Sequence, residues 1–377
     1  MKIILLGRRY VLLITAVLFL AGCQSKQPKS QGGKDIPLRY AHLFHITEYD
    51  GYHVVEVKNP WDTAQLLKRY ILLDSAYAGK DSLPQGVVIQ TPVRSMACVF
   101  STHVCLAQKL SVVDRIAAVS ELKYISNAAV RAQVAAGKTL EMGPSSSINM
   151  DILLKVNPEV LFVSPFKDNK YGAAEESGIP LAIDCSYMEQ HPLARAEWLK
   201  FMALFVGKEA EANTIFDTIA HRYERLAAIG QSVAVKATVF SGKPFKDIWY
   251  MPGGQSYAAR FMADAGLTYL WAENPDVGSQ PLDFESVYAK AVKADLWLMH
   301  ENYEGEFTYS KLLEENARYA DFEAFKKHRI LFCNTNTNDY YEEGLLEPDI
   351  ILADIISFAH PELKLPHTPK YYGWMPE

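Results

Sequence analysis

The sequence is poor in cysteine, lacks common catalytic motifs and has no long apolar run beyond its first 23 residues. Of five cysteines in 377 residues, Cys98, Cys105, Cys185 and Cys333 follow no zinc-binding spacing and allow three disulfide pairings, so buried free thiols are the simplest expectation. Neither G-x-S-x-G nor H-E-x-x-H occurs, and no pair of catalytic acids is evident, which favours binding without catalysis. No later segment approaches the roughly eighteen apolar residues of a membrane-spanning helix.

Basic residues are outnumbered by acidic ones. The chain contains 38 lysines and arginines against 44 aspartates and glutamates, a formal net charge of −6. This balance argues against nucleic acid or an anionic bilayer as the main partner. It leaves carboxylates available to dock on a basic protein surface.

The N-terminus has the order of a bacterial lipoprotein signal peptide. Three basic residues precede an apolar run at residues 10–20, and Ala-Gly-Cys follows it, similar to a lipobox. We therefore predict a signal peptide at residues 1–22, lipidation of Cys23 and a flexible polar tether at residues 23–35. The alternative is an ordinary signal peptide that happens to contain a cysteine. On the first interpretation the folded domain is exported, lies in the periplasm or otherwise outside the cytoplasmic membrane, and touches a membrane only through its lipid anchor.

Short apolar strands alternate with helices along most of the remaining chain. Residues 160–164 are almost entirely apolar, as expected for a parallel strand covered on both faces. Between residues 189 and 230, apolar residues recur at helical spacing and Gly207 interrupts them, which predicts a helical connector. Residues 36–188 and 231–377 are predicted to form α/β lobes on either side of it.

Three stretches resemble the ABC-importer solute-binding proteins that capture ferric siderophores, haem or cobalamin. They are residues 91–94 with 114–119, residues 143–163, and residues 347–354 with 360–363. Glu347 departs from the pattern, because a basic residue is usual there. Residues 36–90 lie outside the resemblance, and within them Tyr49-Asp-Gly51 predicts a hairpin turn. The resemblance implies two Rossmann-like lobes joined by a long helical connector, with the ligand in the cleft between the lobes.

The resemblance also implies the partners. It suggests a monomer without a cofactor that delivers a small-molecule metal chelate to an ABC permease and ATPase complex. One acidic residue on each lobe, Asp151 and Glu285, is expected to pair with permease arginines. The alternative for both is stabilisation of a helix N-terminus by a negative charge.

Aromatic and amide side chains near the predicted strand ends suit a broad ligand that needs stacking and edge hydrogen bonds. In other proteins such loop residues often only close turns. His103 and His300 could face each other and bind a metal, but no third histidine and carboxylate join them, so we predict no protein metal site. The predicted ligand-binding residues are Phe100, Ser101, Thr102, His103, Ser164, Phe166, Lys167, Trp249, Tyr250, Ser256, Tyr257, His300, Tyr303, Asn336, Asn338 and Tyr340.

The leading hypothesis is a binding lipoprotein for an iron chelate, either a siderophore or haem. Cobalamin and a bare metal ion are the alternatives within this class. Two other classes are a surface enzyme, which the lack of catalytic motifs disfavours, and a structural or adhesive lipoprotein. The latter would not require a two-lobed organisation with an acidic residue at a matching place in each lobe.

Overall fold

A computed structural model describes residues 32–75, 77, 79, 83–167 and 171–377. The predicted signal peptide and Cys23 lie outside these residues. Lys34–Glu377 form one compact unit, and within the described part no helix combines the length and apolar character needed to cross a membrane.

The strands and helices are numbered in chain order. The strands are β1 (Lys34–Ile36), β2 (Phe44–Tyr49), β3 (Tyr52–Asn59), β4 (Asp62–Asp74), β5 (Val87–Thr91), β6 (Met96–Cys98), β7 (Ile116–Val119), β8 (Leu140–Glu141), β9 (Val160–Val163), β10 (Leu181–Ile183), β11 (Thr238–Ser241), β12 (Trp249–Pro252), β13 (Thr268–Tyr269), β14 (Ser279–Leu282), β15 (Leu296–Glu301), β16 (Ile330–Asn334) and β17 (Gly373–Trp374). The α-helices are α1 (Ser101–Lys109), α2 (Ala128–Ala135), α3 (Met150–Val156), α4 (Ala173–Glu176), α5 (Pro192–Glu197), α6 (Leu199–Val206), α7 (Glu209–Gln231), α8 (Tyr257–Asp264), α9 (Phe284–Ala291), α10 (Tyr309–Glu315), α11 (Glu323–Lys326), α12 (Tyr340–Glu343) and α13 (Pro348–Ala359). Short 3-10 helices occur at Val113–Arg115, Leu122–Tyr124, Ser186–Met188, Ala317–Asp321, Gly344–Leu346 and Pro361–Leu363.

Each lobe is built on a sheet whose strand order reverses near its middle. The N-lobe sheet is parallel, in the order β10-β9-β6-β7-β8. The C-lobe sheet runs β13-β11-β15-β16-β17, and only β17 is antiparallel. In each sheet the strand that comes first in the sequence, β6 or β11, lies inside the sheet, and later strands are added on both sides of it. Loops that follow strands on opposite sides of such a switch point diverge and leave a crevice for ligands.

The connector consists of three consecutive helices, α5 to α7. Seven of the eight residues of α6 are buried, and α7 has 23 residues, a length of about 35 Å. Gly207 ends α6 at a φ of +68°, and a Cβ there would lie 3.1 Å from the Pro92 side chain. The predicted interruption at Gly207 is confirmed, and glycine suits it because the backbone is left-handed.

A second sheet precedes the N-lobe sheet and is joined closely to it. Its order is β1-β2-β3-β4-β5, antiparallel except for the β4–β5 pair. The hairpin predicted from Tyr49-Asp-Gly51 is confirmed as β2–β3. The hydroxyl of Tyr70 on β4 donates to the Leu181 carbonyl at 2.8 Å and accepts the Ile183 N–H at 2.9 Å, so β4 is tied directly to β10.

Two buried acids hold the start of this second sheet against the connector. Glu197 accepts the backbone N–H groups of Arg39, Tyr40 and Ala41 at 2.8–2.9 Å. Glu189 accepts those of His42 and Leu43, together with the indole N–H of Trp198. The segment before β2 is therefore fixed by satisfied buried hydrogen bonds, and the lobe predicted at residues 36–188 contains two sheets.

Candidate functional site

A cavity of about 710 Å³ lies between the two lobes and is called the interlobe cavity below. The N lobe contributes Ser101, Lys123, Tyr124, Ser126 and Arg131. The C lobe contributes Asn302, Asn336, Asn338, Asp339, Tyr341 and Glu342. These residues follow β6, β7, β15 and β16, at the carboxyl ends of the parallel strands, where the fold favours ligand binding.

Two tyrosines, one from each lobe, line the interlobe cavity with large exposed rings. Tyr124 is 56 % exposed and Tyr341 is 61 % exposed. The Lys123 ammonium lies 4.5 Å from the centre of the Tyr124 ring. Exposed aromatic rings that share a concave surface supply apolar area that a ligand can cover.

Polar groups in the cavity are held by short loops. Arg131 donates from Nε to the Ile125 carbonyl at 2.6 Å and from its terminal nitrogen to the Leu122 carbonyl at 3.2 Å, which fixes the turn that carries Tyr124. On the other lobe, the Asn336 amide donates to Asn302 at 3.3 Å. The asparagine side chains that a ligand could reach are therefore held in place by hydrogen bonds.

Glu342 forms a contact across the cavity. Its Oε2 accepts the backbone N–H of Ser126 at 2.6 Å and the Ser126 hydroxyl at 2.7 Å. The carboxyl is buried, and this burial raises its pKa above the ordinary value despite the hydrogen bonds from Ser126.

Several predicted ligand-binding residues lie on the cavity or beside it. Ser101, Asn336 and Asn338 line it directly. Tyr340 is half-buried next to Tyr341, with its ring 4.7 Å from His300. The remaining half-buried or exposed members of the predicted set do not line this cavity: Phe100, Thr102, Ser164, Phe166, Lys167, Tyr250, Tyr257 and Tyr303.

Phe166 belongs to a separate apolar groove. This groove, of about 630 Å³, runs between the second sheet and the N-lobe sheet and is also lined by Trp61, Leu67 and Val88. The Phe166 ring makes edge contact with Phe100 at 6.0 Å. The structure therefore places Phe166 on a surface that also involves the second sheet.

Trp249 does not line the cleft, contrary to the prediction. It is fully buried on β12, donates its indole N–H to the Ser241 carbonyl at 2.8 Å and packs on Trp297 and Phe322. Its neighbour Tyr250 points outward on the same strand. Ser256 is also buried, and its hydroxyl accepts the Ala259 N–H and caps α8.

His103 is buried and His300 is half-buried, and each forms a hydrogen bond with a neighbouring residue. His103 has no exposed surface, its Nδ1 accepts the Phe100 N–H, and burial lowers its pKa to about 3. His300 is hydrogen-bonded to Tyr372, and burial lowers its pKa to about 4. Among the described residues, no group of three or more His, Cys, Asp or Glu side chains is arranged to hold a metal ion.

Asp184 is buried next to His103. Its carboxyl is 3.9 Å from His103 Nε2, and burial raises its pKa to about 6 although Ser186 donates to it. Since His103 stays neutral near pH 7, this contact is not an ion pair.

The two predicted docking acids lie in the first turns of exposed helices, one in each lobe. Asp151 is exposed in α3, whose N-cap is Asn149. Glu285 is exposed in α9 and forms a 2.9 Å ion pair with Arg318, whose hydrogen bond lowers the pKa of that carboxyl. Both positions also fit the helix-terminus alternative.

The four described cysteines are buried and free. The expectation of buried thiols is therefore confirmed for Cys98, Cys105, Cys185 and Cys333. Burial raises the pKa of each thiol, which keeps it protonated near neutral pH.

The predicted ligand-binding set omits residues that line the cavity, among them Lys123, Tyr124, Tyr341 and Glu342. The first two follow β7, so the rule that ligands bind at the carboxyl ends of parallel strands could have found them. Tyr341 directly follows a predicted residue. The pairing of Glu342 with Ser126 depends on lobe packing, which no local pattern records.

The two-lobed fold with a cavity at the strand ends defines a class of extracytoplasmic binding proteins. The chain belongs to the periplasmic binding protein family, whose sequence model matches residues 96–337. This match confirms the resemblance seen in the sequence and leaves the second sheet outside the matched region.

Relatives and solved structures agree with this assignment. An uncharacterised lipoprotein of Methanocaldococcus jannaschii is 29 % identical over 288 residues, covering 73 % of this chain and 67 % of the relative. A second from the same organism is 25 % identical over 381 residues, covering 94 % of each. A periplasmic haem-binding protein from Pseudomonas aeruginosa aligns with a TM-score of 0.57 at 14 % identity, covering 74 % of this chain and 97 % of the other. The periplasmic vitamin B12 binding protein of Vibrio cholerae aligns at 0.52 and 14 %, covering 72 % and 99 %. At these identities the two structures show the fold, and the predicted two-lobed α/β architecture is confirmed.

Proposed function

We propose that this protein is the substrate-binding component of an ABC importer and captures an iron chelate, either a siderophore or haem, in the interlobe cavity. The observation that carries the proposal is the cavity itself, with Tyr124 and Tyr341 exposed on opposite lobes and amide groups between them. Its volume of about 710 Å³ lies within the range typical of sites for drug-sized ligands and far exceeds that of a bare ion. The proposed role is binding and delivery, without chemistry on the ligand.

The ligand class is supported by the mixture of surfaces in the cavity. Tyrosine rings offer apolar contact to a flat or rounded chelate, while Lys123 and Asn336 offer a charge and hydrogen bonds at its edge. Solved proteins of this fold include haem-binding and vitamin B12-binding examples. Cobalamin is therefore the second candidate, since it combines similar faces with amide-bearing edges.

We also propose that Cys23 carries the lipid anchor and that the folded domain works outside the cytoplasmic membrane. Two similar proteins of Methanocaldococcus jannaschii are named as lipoproteins, and the lipobox-like order of residues 20–23 supports the same arrangement here. A polar tether before Lys34 would let the domain reach a permease in the same membrane.

Asp151 and Glu285 are the proposed contacts with the permease. Each is an exposed carboxylate in the first turn of a helix, and the two belong to different lobes. In cells that depend on this importer, the Asp151→Ala/Glu285→Ala double variant should lose uptake while purified protein keeps its ligand affinity. Glu211→Ala is the matched control, because Glu211 is another exposed first-turn acid paired with a basic residue. Full uptake by the double variant would refute the docking assignment.

Calorimetric titration of the unlipidated chain from Gln24 onward tests the ligand proposal. The titrants are haem, cyanocobalamin, one ferric hydroxamate, one ferric catecholate and ferric citrate. We expect saturable one-to-one binding of a siderophore or haem at or below micromolar concentration. Binding of cyanocobalamin alone would establish the second candidate, and binding of none would refute the chelate-binding role.

A further inference from the structure

We infer that Glu342 is a positioning residue that latches the two lobes together and sets the width of the interlobe cavity. The inference rests on the proposed function, because it concerns the site in which the ligand is expected to bind. It assigns to one carboxylate the task of holding the two ligand-facing tyrosines at a fixed separation.

The first observation is that the hydrogen bonds of Glu342 cross from one lobe to the other. Glu342 lies on α12, which follows β16 of the C-lobe sheet, whereas Ser126 follows β7 of the N-lobe sheet. A single carboxylate oxygen accepts both the N–H and the hydroxyl of Ser126, at 2.6 and 2.7 Å. Hydrogen bonds to an ionised carboxylate are about twice as strong as neutral ones and restrict geometry more tightly.

The second observation is the position of this contact at the start of α2. Ser126 precedes Asn127, which is the N-cap of the eight-residue helix α2. The carboxylate of one lobe therefore lies at the positive end of a helix in the other lobe. Negative charge is stabilised there by the helix dipole and the free N–H groups of the first turn.

The third observation is the direct connection of the latch to the ligand-facing rings. Tyr341 is adjacent to Glu342 on α12, and Tyr124 precedes Ser126 by two residues on a turn held by Arg131. All four residues, the two tyrosines and the latch pair, line the same cavity. A change in the Glu342–Ser126 separation must therefore move the two aromatic walls relative to each other.

The latch is also reversible on physical grounds. Glu342 is only 4 % exposed when it contacts Ser126, and a buried carboxylate needs partners to offset its lost hydration. When the lobes separate, water replaces Ser126, so the carboxylate is solvated in the open state and hydrogen-bonded in the closed one. Such a group favours closure modestly and still allows a ligand to enter and leave.

Interlobe distances measured without any ligand test this inference independently of the proposed function. Spin labels at Ala132→Cys on α2 and Ser310→Cys on α10, both exposed sites, report the lobe separation by double electron–electron resonance. The four native thiols are buried and should remain unlabelled in the folded chain from Gln24 onward.

We expect a single narrow distance distribution for the labelled parent protein. Glu342→Ala should shift the distribution to longer distances and broaden it, whereas Glu342→Gln, which keeps an acceptor oxygen without the charge, should restore part of the short-distance population. The matched control is Glu121→Ala. Glu121 accepts the N–H and hydroxyl of Ser145 in the same way, at 3.1 and 2.7 Å, but within the N lobe.

An unchanged distribution in Glu342→Ala, or an equal shift in Glu121→Ala, would overturn the latch. Thermal melting of each variant is followed in parallel. If Glu342 had only a structural role, Glu342→Ala would lower the melting temperature, but it would not lengthen the interlobe distance in a way that Glu342→Gln partly reverses. If the protein binds none of the chelates but shows the predicted distances, the latch stands and the proposed function is refuted. If the protein binds a chelate but Glu342→Ala leaves the distances unchanged, the proposed function stands and the latch is refuted.

Discussion

Removing the Tyr341 ring should weaken ligand binding strongly while leaving the fold intact. A whole tyrosine side chain presents about 200 Å², so the 61 % exposure of Tyr341 leaves about 120 Å² for a ligand to cover. Covering two-thirds of that area stabilises the complex by about 2 kcal/mol at 25 cal/mol per Å². Tyr341→Ala should therefore raise the Kd about thirtyfold, and Tyr124→Ala should act similarly.

The assay is calorimetric titration with the chelate that binds the parent protein, combined with urea unfolding of each variant. Substitution of so exposed a residue should change the free energy of unfolding by no more than about 0.5 kcal/mol. Tyr250→Ala is the matched control, because Tyr250 is 50 % exposed on the same lobe but does not line the cavity. If Tyr250→Ala weakens binding and Tyr341→Ala does not, the ligand occupies a different surface and the assignment of the cavity is wrong.

Three further predictions concern the interior. Burial raises the pKa of Asp184 to about 6 in the folded state, above its unfolded value. Ionisation of this carboxyl therefore lowers the free energy of unfolding by about 3 kcal/mol as the pH rises from about 4 to 7. Asp184→Asn should gain stability relative to the parent at pH 7 but not at pH 4 in urea unfolding, and an equal difference at both pH values would contradict this. Phe44→Ala removes a buried ring that packs on Trp198 and Phe201 and should lower the free energy of unfolding by about 3–5 kcal/mol; a loss below about 1 kcal/mol would mean that the second sheet is not part of the core. A maleimide should label Cys98, Cys105, Cys185 and Cys333 only in denaturant, and rapid native labelling would contradict their burial.

The lobes were predictable because their central strands are short apolar runs. The strand predicted at residues 160–164 is β9, whose four residues are all buried between other layers. The end of α6 at Gly207 was equally predictable, since a glycine that interrupts a helical pattern often adopts the left-handed conformation that ends a helix.

The second sheet was only partly predictable. Its hairpin has a clear turn signal, but the first half of β4 is exposed and polar, so no alternation marks it as a strand. The contacts that fix this sheet, such as those of Glu197 with Arg39–Ala41, join residues more than 150 positions apart. Local patterns do not contain such information.

Trp249 shows how composition misled the search for the site. Aromatic side chains near a predicted strand end suggested ligand contact, whereas β12 buries alternate residues and places Trp249 and Met251 inside. All four residues of β12 are apolar or aromatic, so the sequence shows no alternation that would mark which of them face inward. The sequence predicted only some of the residues that line the cavity. The cavity combines loops from both lobes, and the packing of the lobes determines how far apart these loops lie.

The position of the bound metal tests the central claim most directly. A crystal of the chain from Gln24 onward, grown with the ferric chelate that binds in calorimetry, gives an anomalous signal at the iron absorption edge. We expect one strong peak per chain in the interlobe cavity, between Tyr124 and Tyr341. A peak elsewhere, such as in the apolar groove lined by Trp61 and Phe166, would contradict it.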